Sequence, residues 1–223
     1  MKKSVLMSFS PFWYYLIGEH IKGTEVRKVK PSDPNWNGII ECYMAKDKKS
    51  FAMIPDEFKP KYREHFGKVG MYFVCSEIDE FSVRCVPYSR TNALGYESFV
   101  DDGVYLIPTH RSTGQLDSGI VFERPDRYAD TMLKNEDLKS MCLSPQQLYD
   151  YITLAKTGYG LEVKNLTFHE KPKQLGEFYS PCSVPEGKCK LCDGCYDRED
   201  YYGNHYAVKK LARPPQSFCY IEV

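Results

Sequence analysis

The sequence predicts an α+β fold, a mixed β-barrel with flanking helices, and three observations carry that expectation. Apolar residues recur with period two in many short runs, few segments open and pattern like helices, and the order is strand, helix, several strands, helix, strand, strand. A parallel doubly wound sheet would need helices alternating with strands throughout. With 223 residues, 42% of them hydrophobic, the chain can hold a core unaided. Nothing marks a linker, so one domain over residues 1–223 is expected.

Val5, Met7 and Phe9 alternate with Leu6 and Ser8, which reads as an opening strand. Ser10-Pro11 supplies an N-cap and a first-turn proline, and Phe12, Tyr15, Leu16 and Glu19 follow at helical spacing. Residues 24–30 alternate again, with Thr24, Val26 and Lys28 on one face and Glu25, Arg27 and Val29 on the other. A turn-rich loop over 31–37 leads to a strand at 38–44. Residues 54–65 read as a short helix that Pro60 breaks or kinks, and strands follow at 69–76 and 81–86.

The pattern weakens over residues 87–143, which read as an insertion within the domain. Inside it, Tyr105-Leu106-Ile107 and Ile120-Val121-Phe122 can pair as a hairpin, and the charge-rich stretch 124–139 reads as a solvated helix. Ser144-Pro145-Gln146-Gln147 opens the next helix with Gln147 at the capping-box position. Leu148, Tyr151 and Ile152 give that helix one apolar face, and Gly158 and Gly160 end it. A strand at 161–168, a Cys-rich loop at 180–206 and a last strand within 213–223 complete the reading.

Thirty Lys and Arg balance thirty Asp and Glu. That balance excludes coating of nucleic acid through bulk charge and leaves a local basic cleft open. The longest apolar stretch, residues 9–17, is too short to span a bilayer and contains Ser and Pro. No small-residue cleavage site marks it as a signal peptide, so the cytoplasm is the expected compartment and no membrane partner is expected.

Two constellations carry chemistry. In the first, Glu25 and Arg27 project to one side of an extended segment, with Lys22 at the turn before them and Lys28 and Lys30 nearby. Arg offers forked donors to a phosphate or base edge, and Glu accepts from amino groups, so the set suits a flat polar ligand. The bland alternative is a solvated strand face with a weak ion pair.

The second is Cys182-x6-Cys189-x2-Cys192-x2-Cys195, set among Gly, Lys and Asp. Four thiolates at that spacing suit a structural Zn²⁺ site, with His205 as a substitute ligand. An Fe–S cluster and unliganded reduced cysteines are the competing readings. The other five cysteines are scattered, most in apolar runs where Cys acts as a small hydrophobe. His65, His110 and His169 have no partner at ligand spacing, and Asp101-Asp102 precedes Gly103 as an acidic turn. No phosphate-cradling glycine loop or dinucleotide fingerprint occurs.

The stretch Val5-Leu6-Met7-Ser8, Pro11, then Lys22-Gly23-Thr24-Glu25-Val26-Arg27-Lys28 resembles the signature of the ASCH superfamily of PUA-like barrels. Gly67-Lys68-Val69-Gly70, Tyr159-Gly160-Leu161-Glu162-Val163-Lys164-Asn165-Leu166 and Lys171-Pro172-Lys173-Gln174-Leu175 resemble its central and late strands. Arg213-Pro214-Pro215-Gln216-Ser217-Phe218 resembles the ending of ASCH proteins common in phages and mobile elements. The resemblance touches both ends of the chain and leaves out roughly residues 87–140.

It implies a PUA-like barrel with a cleft beside the first helix that binds RNA or a modified nucleotide through Lys22, Glu25, Arg27 and Lys28. By the same analogy Gln216 and Ser217 face that cleft if the last strand joins the barrel. An alternative it implies is a hydrolase, a ribonuclease or modified-nucleoside amidohydrolase, using Lys22 and Glu25 as acid and base. Family amidohydrolases that act on N4-acetylcytidine carry Thr where this chain has Glu25, and a carboxylate cannot replace a hydroxyl nucleophile. His20 stands where the motif has Gly. A third reading is an adaptor that engages a host protein through residues 87–143.

Overall fold

The computed structural model describes residues 3–86, 104–107, 118–123, 133–152, 155, 157–181, 195–199 and 205–222. Along the chain these form β1 (Lys3–Phe9), α1 (Pro11–Gly18), β2 (Thr24–Arg27), β3 (Trp36–Met44), α2 (Lys48–Ala52), α3 (Lys59–Arg63) and β4 (Val69–Val74). There follow β5 (Ile78–Val86), β6 (Val104–Ile107), β7 (Ser118–Glu123), α4 (Asn135–Met141), α5 (Pro145–Ile152), β8 (Thr157–Glu162) and β9 (Lys164–Lys173). A 3₁₀ turn (Leu175–Glu177), β10 (Tyr179–Pro181), β11 (Cys195–Glu199), β12 (His205–Lys210) and β13 (Phe218–Glu222) come last. The chain divides into two units: Met1–His20, Pro31–Ser76 and Val163–Val223 make the first, Ile21–Lys30 and Glu77–Glu162 the second.

In the first unit β1 lies between β13, antiparallel, and β3, parallel; β3 pairs with β4 and β4 with β9, both antiparallel. Val5, Leu6 and Met7 are all fully buried, because both faces of β1 are covered. Leu6 packs in a cluster with Tyr43, Val69, Phe178 and Ile221. Strands β10, β12 and β11 form a separate antiparallel sheet. Pro11 opens α1, and although Ser10 stands at the cap its side chain makes no capping bond. Instead the Phe12 amide donates to Ser50 Oγ at 2.9 Å, and Ser50 sits in α2, which Asp47 caps through the amides of Lys49 and Ser50. Pro60 stands in the first turn of α3, so it begins a short helix where the sequence suggested a kink in a longer one.

In the second unit the sheet order is β2-β8-β5-β7-β6, every pair antiparallel. The β6–β7 hairpin is the one expected from residues 105–107 and 120–122. Helices α4 and α5 join that sheet through one cluster: Val26, Phe81, Phe122, Leu133, Leu138, Met141, Leu148 and Ile152. The capping box at α5 forms as the sequence implies, with the Ser144 amide donating to Gln147 Oε1 at 2.9 Å and the Gln147 amide to Ser144 Oγ at 3.2 Å. Among the described residues of the charged stretch a helix forms over Asn135–Met141, and it buries Leu138 and Met141; residues 124–132 lie outside the described ones.

One expectation about the strands needs correcting. Gly158 and Gly160 do not end a helix; they lie inside β8, where a Cβ would meet the Phe81 ring at 2.5 Å and Thr24 Cγ2 at 3.0 Å. Among the described residues the strands pair into three sheets and no pairing closes the expected barrel: β13 and β9 are the edges of one five-stranded sheet, β2 and β6 of the other. Edge β9 carries register shifts, Pro172 and exposed Lys164 and Lys171, the features that keep an edge from pairing further. Among the described residues no helix is long and apolar enough to cross a membrane.

Candidate nucleotide-binding site

Residues 21–27 are tied to the end of α4. The Gly23 amide donates to Ser140 O at 2.9 Å, Thr24 Oγ1 lies 2.8 Å from Ser140 Oγ, and Cys142 Sγ donates to Ile21 O at 3.4 Å. These contacts settle which way β2 faces. Val26 enters the apolar cluster, and Glu25 and Arg27 share the other side, as the period-two alternation requires.

Lys22, Glu25 and Arg27 therefore meet. Lys22 Nζ donates to Met141 O and lies 3.7 Å from Glu25 Oε2, while Arg27 Nε lies 2.9 Å from Glu25 Oε1. The Arg27 contact is a charge pairing rather than an aligned hydrogen bond, since the Nε–H does not point along it. Side-chain exposures are 2% for Lys22, 9% for Glu25 and 11% for Arg27, so Lys22 forms the closed end of the group and Glu25 and Arg27 its less enclosed members. Burial holds the Lys22 ammonium below its ordinary pKa, against the pull of Glu25.

Aromatic rings stand beside these charges. Lys28 Nζ lies 4.8 Å from the centroid of the Tyr151 ring, and Lys30 Nζ lies 5.0 Å from that of Tyr159 while pairing with Glu80 at 2.7 Å. Tyr151 was expected on the apolar face of α5, yet it is 38% exposed while Leu148 and Ile152 are fully buried. Burial of its hydroxyl end raises the Tyr151 phenol, with Arg27 opposing and Glu25 reinforcing the shift, which places all three in one electrostatic neighbourhood. Two pockets are described in this unit. One, of about 370 Å³, lies between α4 and α5; the other, of about 180 Å³, is lined by Thr24, Glu77, Asp79, Asp137 and Glu162 among others. Neither is lined by Lys22, Glu25 or Arg27.

Helix α1 belongs to the first unit and the charged trio to the second. His20 ends α1 with φ of 58°, a left-handed conformation that explains why a motif would prefer Gly there. Gln216 is exposed and Ser217 half-buried, just before β13. Cys182, Cys189 and Cys192 lie outside the described residues, as do His110 and Asp101-Asp102; Cys195 opens β11, opposite Lys209 of β12. Among the described residues no group of three or more His, Cys, Asp or Glu is placed to hold a metal.

The first unit holds polar pairs that sequence spacing did not reveal. His169 Nε2 lies 2.7 Å from Glu41 Oε2, with the Tyr72 ring 5.4 Å from the imidazole, and Tyr14 OH lies 2.9 Å from His65 Nδ1. Burial lowers the His65 pKa. The available signal was Glu41 itself, a carboxylate inside the apolar run Ile39 to Met44, which needs a partner once buried.

No family model matches the chain, and no curated protein matches it. Two solved structures do. The crystal structure of ASCH from Zymomonas mobilis is 13% identical with a TM-score of 0.40, covering 99% of this chain and 88% of that one. A mutant of the Zymomonas mobilis protein is 14% identical with a TM-score of 0.37, covering 99% of this chain and 91% of that one. Likenesses of that size assign no role to any residue, and the ASCH resemblance rests on the sequence motifs.

Proposed function

We propose that this chain is an ASCH-like module that binds RNA or a nucleotide through Glu25, Arg27 and Lys28, with Lys22 fixing Glu25 from behind. One observation carries the reading: three ionisable side chains, two on a short edge strand and one on the turn before it, are withdrawn from water, and their burial is a cost rather than a gain in stability. Such clusters are concentrated at sites that recognise charge. Arg27, with its fork of donors, is the member that meets ligand, and the exposed Lys28 adds a cation next to it in sequence.

Charge reversal at Arg27 would place a second carboxylate against Glu25 and threaten the fold, so Arg27→Lys is the sharper variant. It keeps the charge and loses the fork. Fluorescence anisotropy with a short single-stranded RNA should show affinity reduced about tenfold, with native circular dichroism. Equal binding by Arg27→Lys and by an Arg27→Gln variant would remove the site from consideration.

Lys22 favours a second reading. An ammonium whose pKa burial lowers, 3.7 Å from a carboxylate, is an acid–base pair of the kind a hydrolase needs. Incubation with RNA and with acylated nucleosides separates the two readings, because a binder releases no product.

For the cysteine cluster we propose a structural Zn²⁺ held by Cys182, Cys189, Cys192 and Cys195. Its support is the spacing together with the position of Cys195 at the mouth of the β11–β12 hairpin. Native mass spectrometry should give one zinc per chain, lost on replacing Cys189 and Cys192 by Ser. Iron in place of zinc, or no metal, would overturn it.

A further inference from the structure

The exposed ring of Tyr151 carries the binding site a step further, on the reading proposed above. Leu148 and Ile152 are fully buried on the same helix, so α5 is anchored and the ring is presented from a fixed base. Its exposure of 38% sets it apart from the core tyrosines Tyr14 and Tyr62, which are fully buried. Lys28 Nζ sits 4.8 Å from the ring centroid, and the phenol feels Arg27 and Glu25. Ile21 and Val29, which bracket β2 in the same unit, are 51% and 56% exposed. One patch thus offers an aromatic face, an ammonium resting on it, and a guanidinium–carboxylate pair within electrostatic reach.

An unpaired nucleotide needs these three things together: a π-face for its base, polar groups for the base edge, and a cation for its phosphate. In the free protein the cation covers the π-face. We propose that Tyr151 is the stacking platform for a single unpaired base, and that Lys28 is its resident occupant, leaving the ring for the phosphate when a nucleotide binds. Lys28 then acts in opposite directions on two related ligands. A nucleoside must displace it and offers nothing in return; a nucleotide displaces it and supplies a phosphate.

The test is calorimetric titration of the full chain with adenosine and with adenosine 5′-monophosphate. Lys28→Met should tighten adenosine about two- to fivefold, as the cation–π contact is removed. The same change should weaken the monophosphate about tenfold. Tyr151→Leu should weaken both by about tenfold or more, and Tyr151→Phe should restore both. If Lys28→Met moves the two ligands in the same direction, or Tyr151→Leu binds like the parent, the platform is wrong. The nucleotide site itself still stands in that case if Arg27→Lys loses affinity. If the parent binds neither these ligands nor a short RNA, both readings fall.

Discussion

In the first unit the buried pairs His169–Glu41 at 2.7 Å and Tyr14–His65 at 2.9 Å contain no ammonium or guanidinium, and the partly buried Glu19 takes the Tyr62 hydroxyl at 2.5 Å together with the more exposed Lys61 at 2.7 Å. In the second unit a carboxylate faces an ammonium and a guanidinium, all three nearly out of water. Loss of one member of a hydrogen-bonded pair strands a single partner, whereas loss of the anion from a buried trio strands two like charges. The first arrangement specifies a core. The second holds three charges together at low exposure, and its stability depends on the central anion.

Glu25→Ala should show the largest effect, a loss of about 3–5 kcal/mol, because Lys22 and Arg27 would then face each other unbalanced. Urea unfolding measures it, and a loss no greater than that of the Glu41 variant below would erase the contrast between the units. Gly70→Ala comes next. A Cβ there would lie 2.0 Å from His65 Nδ1, so the ring must move and the contact with Tyr14 is strained, at about 1–3 kcal/mol. Gly158→Ala presses on the Phe81 ring from 2.5 Å and should cost less, since no polar contact is broken. Glu41→Gln should cost about 1.5 kcal/mol, as Gln still offers His169 an oxygen.

A pH series sharpens the same comparison. Burial lowers the folded-state pKa of His65 from its usual 6.5, so the unfolded chain takes up the proton first. Stability in the first unit should fall as pH drops below about 6.5 and level off once the folded form also protonates. His65→Gln should lose that part of the slope between pH 7.5 and 5.5; an unchanged slope would remove His65 as its source. The smallest effect expected is a gain. His20→Gly relieves a left-handed backbone at an exposed helix end and should add about 1 kcal/mol, read as a rise in Tm.

Local chemistry was legible in the sequence. The alternation at residues 24–27 put Glu25 and Arg27 on one side, and the Ser144–Gln147 box opened α5. Signals that needed a partner were not. Glu41 and His169 are 128 residues apart, and no spacing rule joins them. Tyr151 obeyed a helical period and still faces outward, because Leu148 and Ile152 already fill the interior. Gly158 and Gly160 read as breakers until the Phe81 ring and Thr24 across the sheet explained their missing side chains. Strand β1 alternated on paper but is buried on both faces, a property of its neighbours rather than of its own residues.

The charged trio also has a history within each round of synthesis. Lys22 and the carbonyl of Met141 that it grips are 119 residues apart, and the strand carrying Glu25 and Arg27 hydrogen-bonds to β8. At ordinary translation speeds the segment leaves the ribosome on the order of ten seconds before its counterparts do. Until then its charges stay hydrated and an edge of unpaired amides is open to other chains. A ribosome that stalls before residue 141 would leave a product whose early strand is intact and whose charged trio was never assembled.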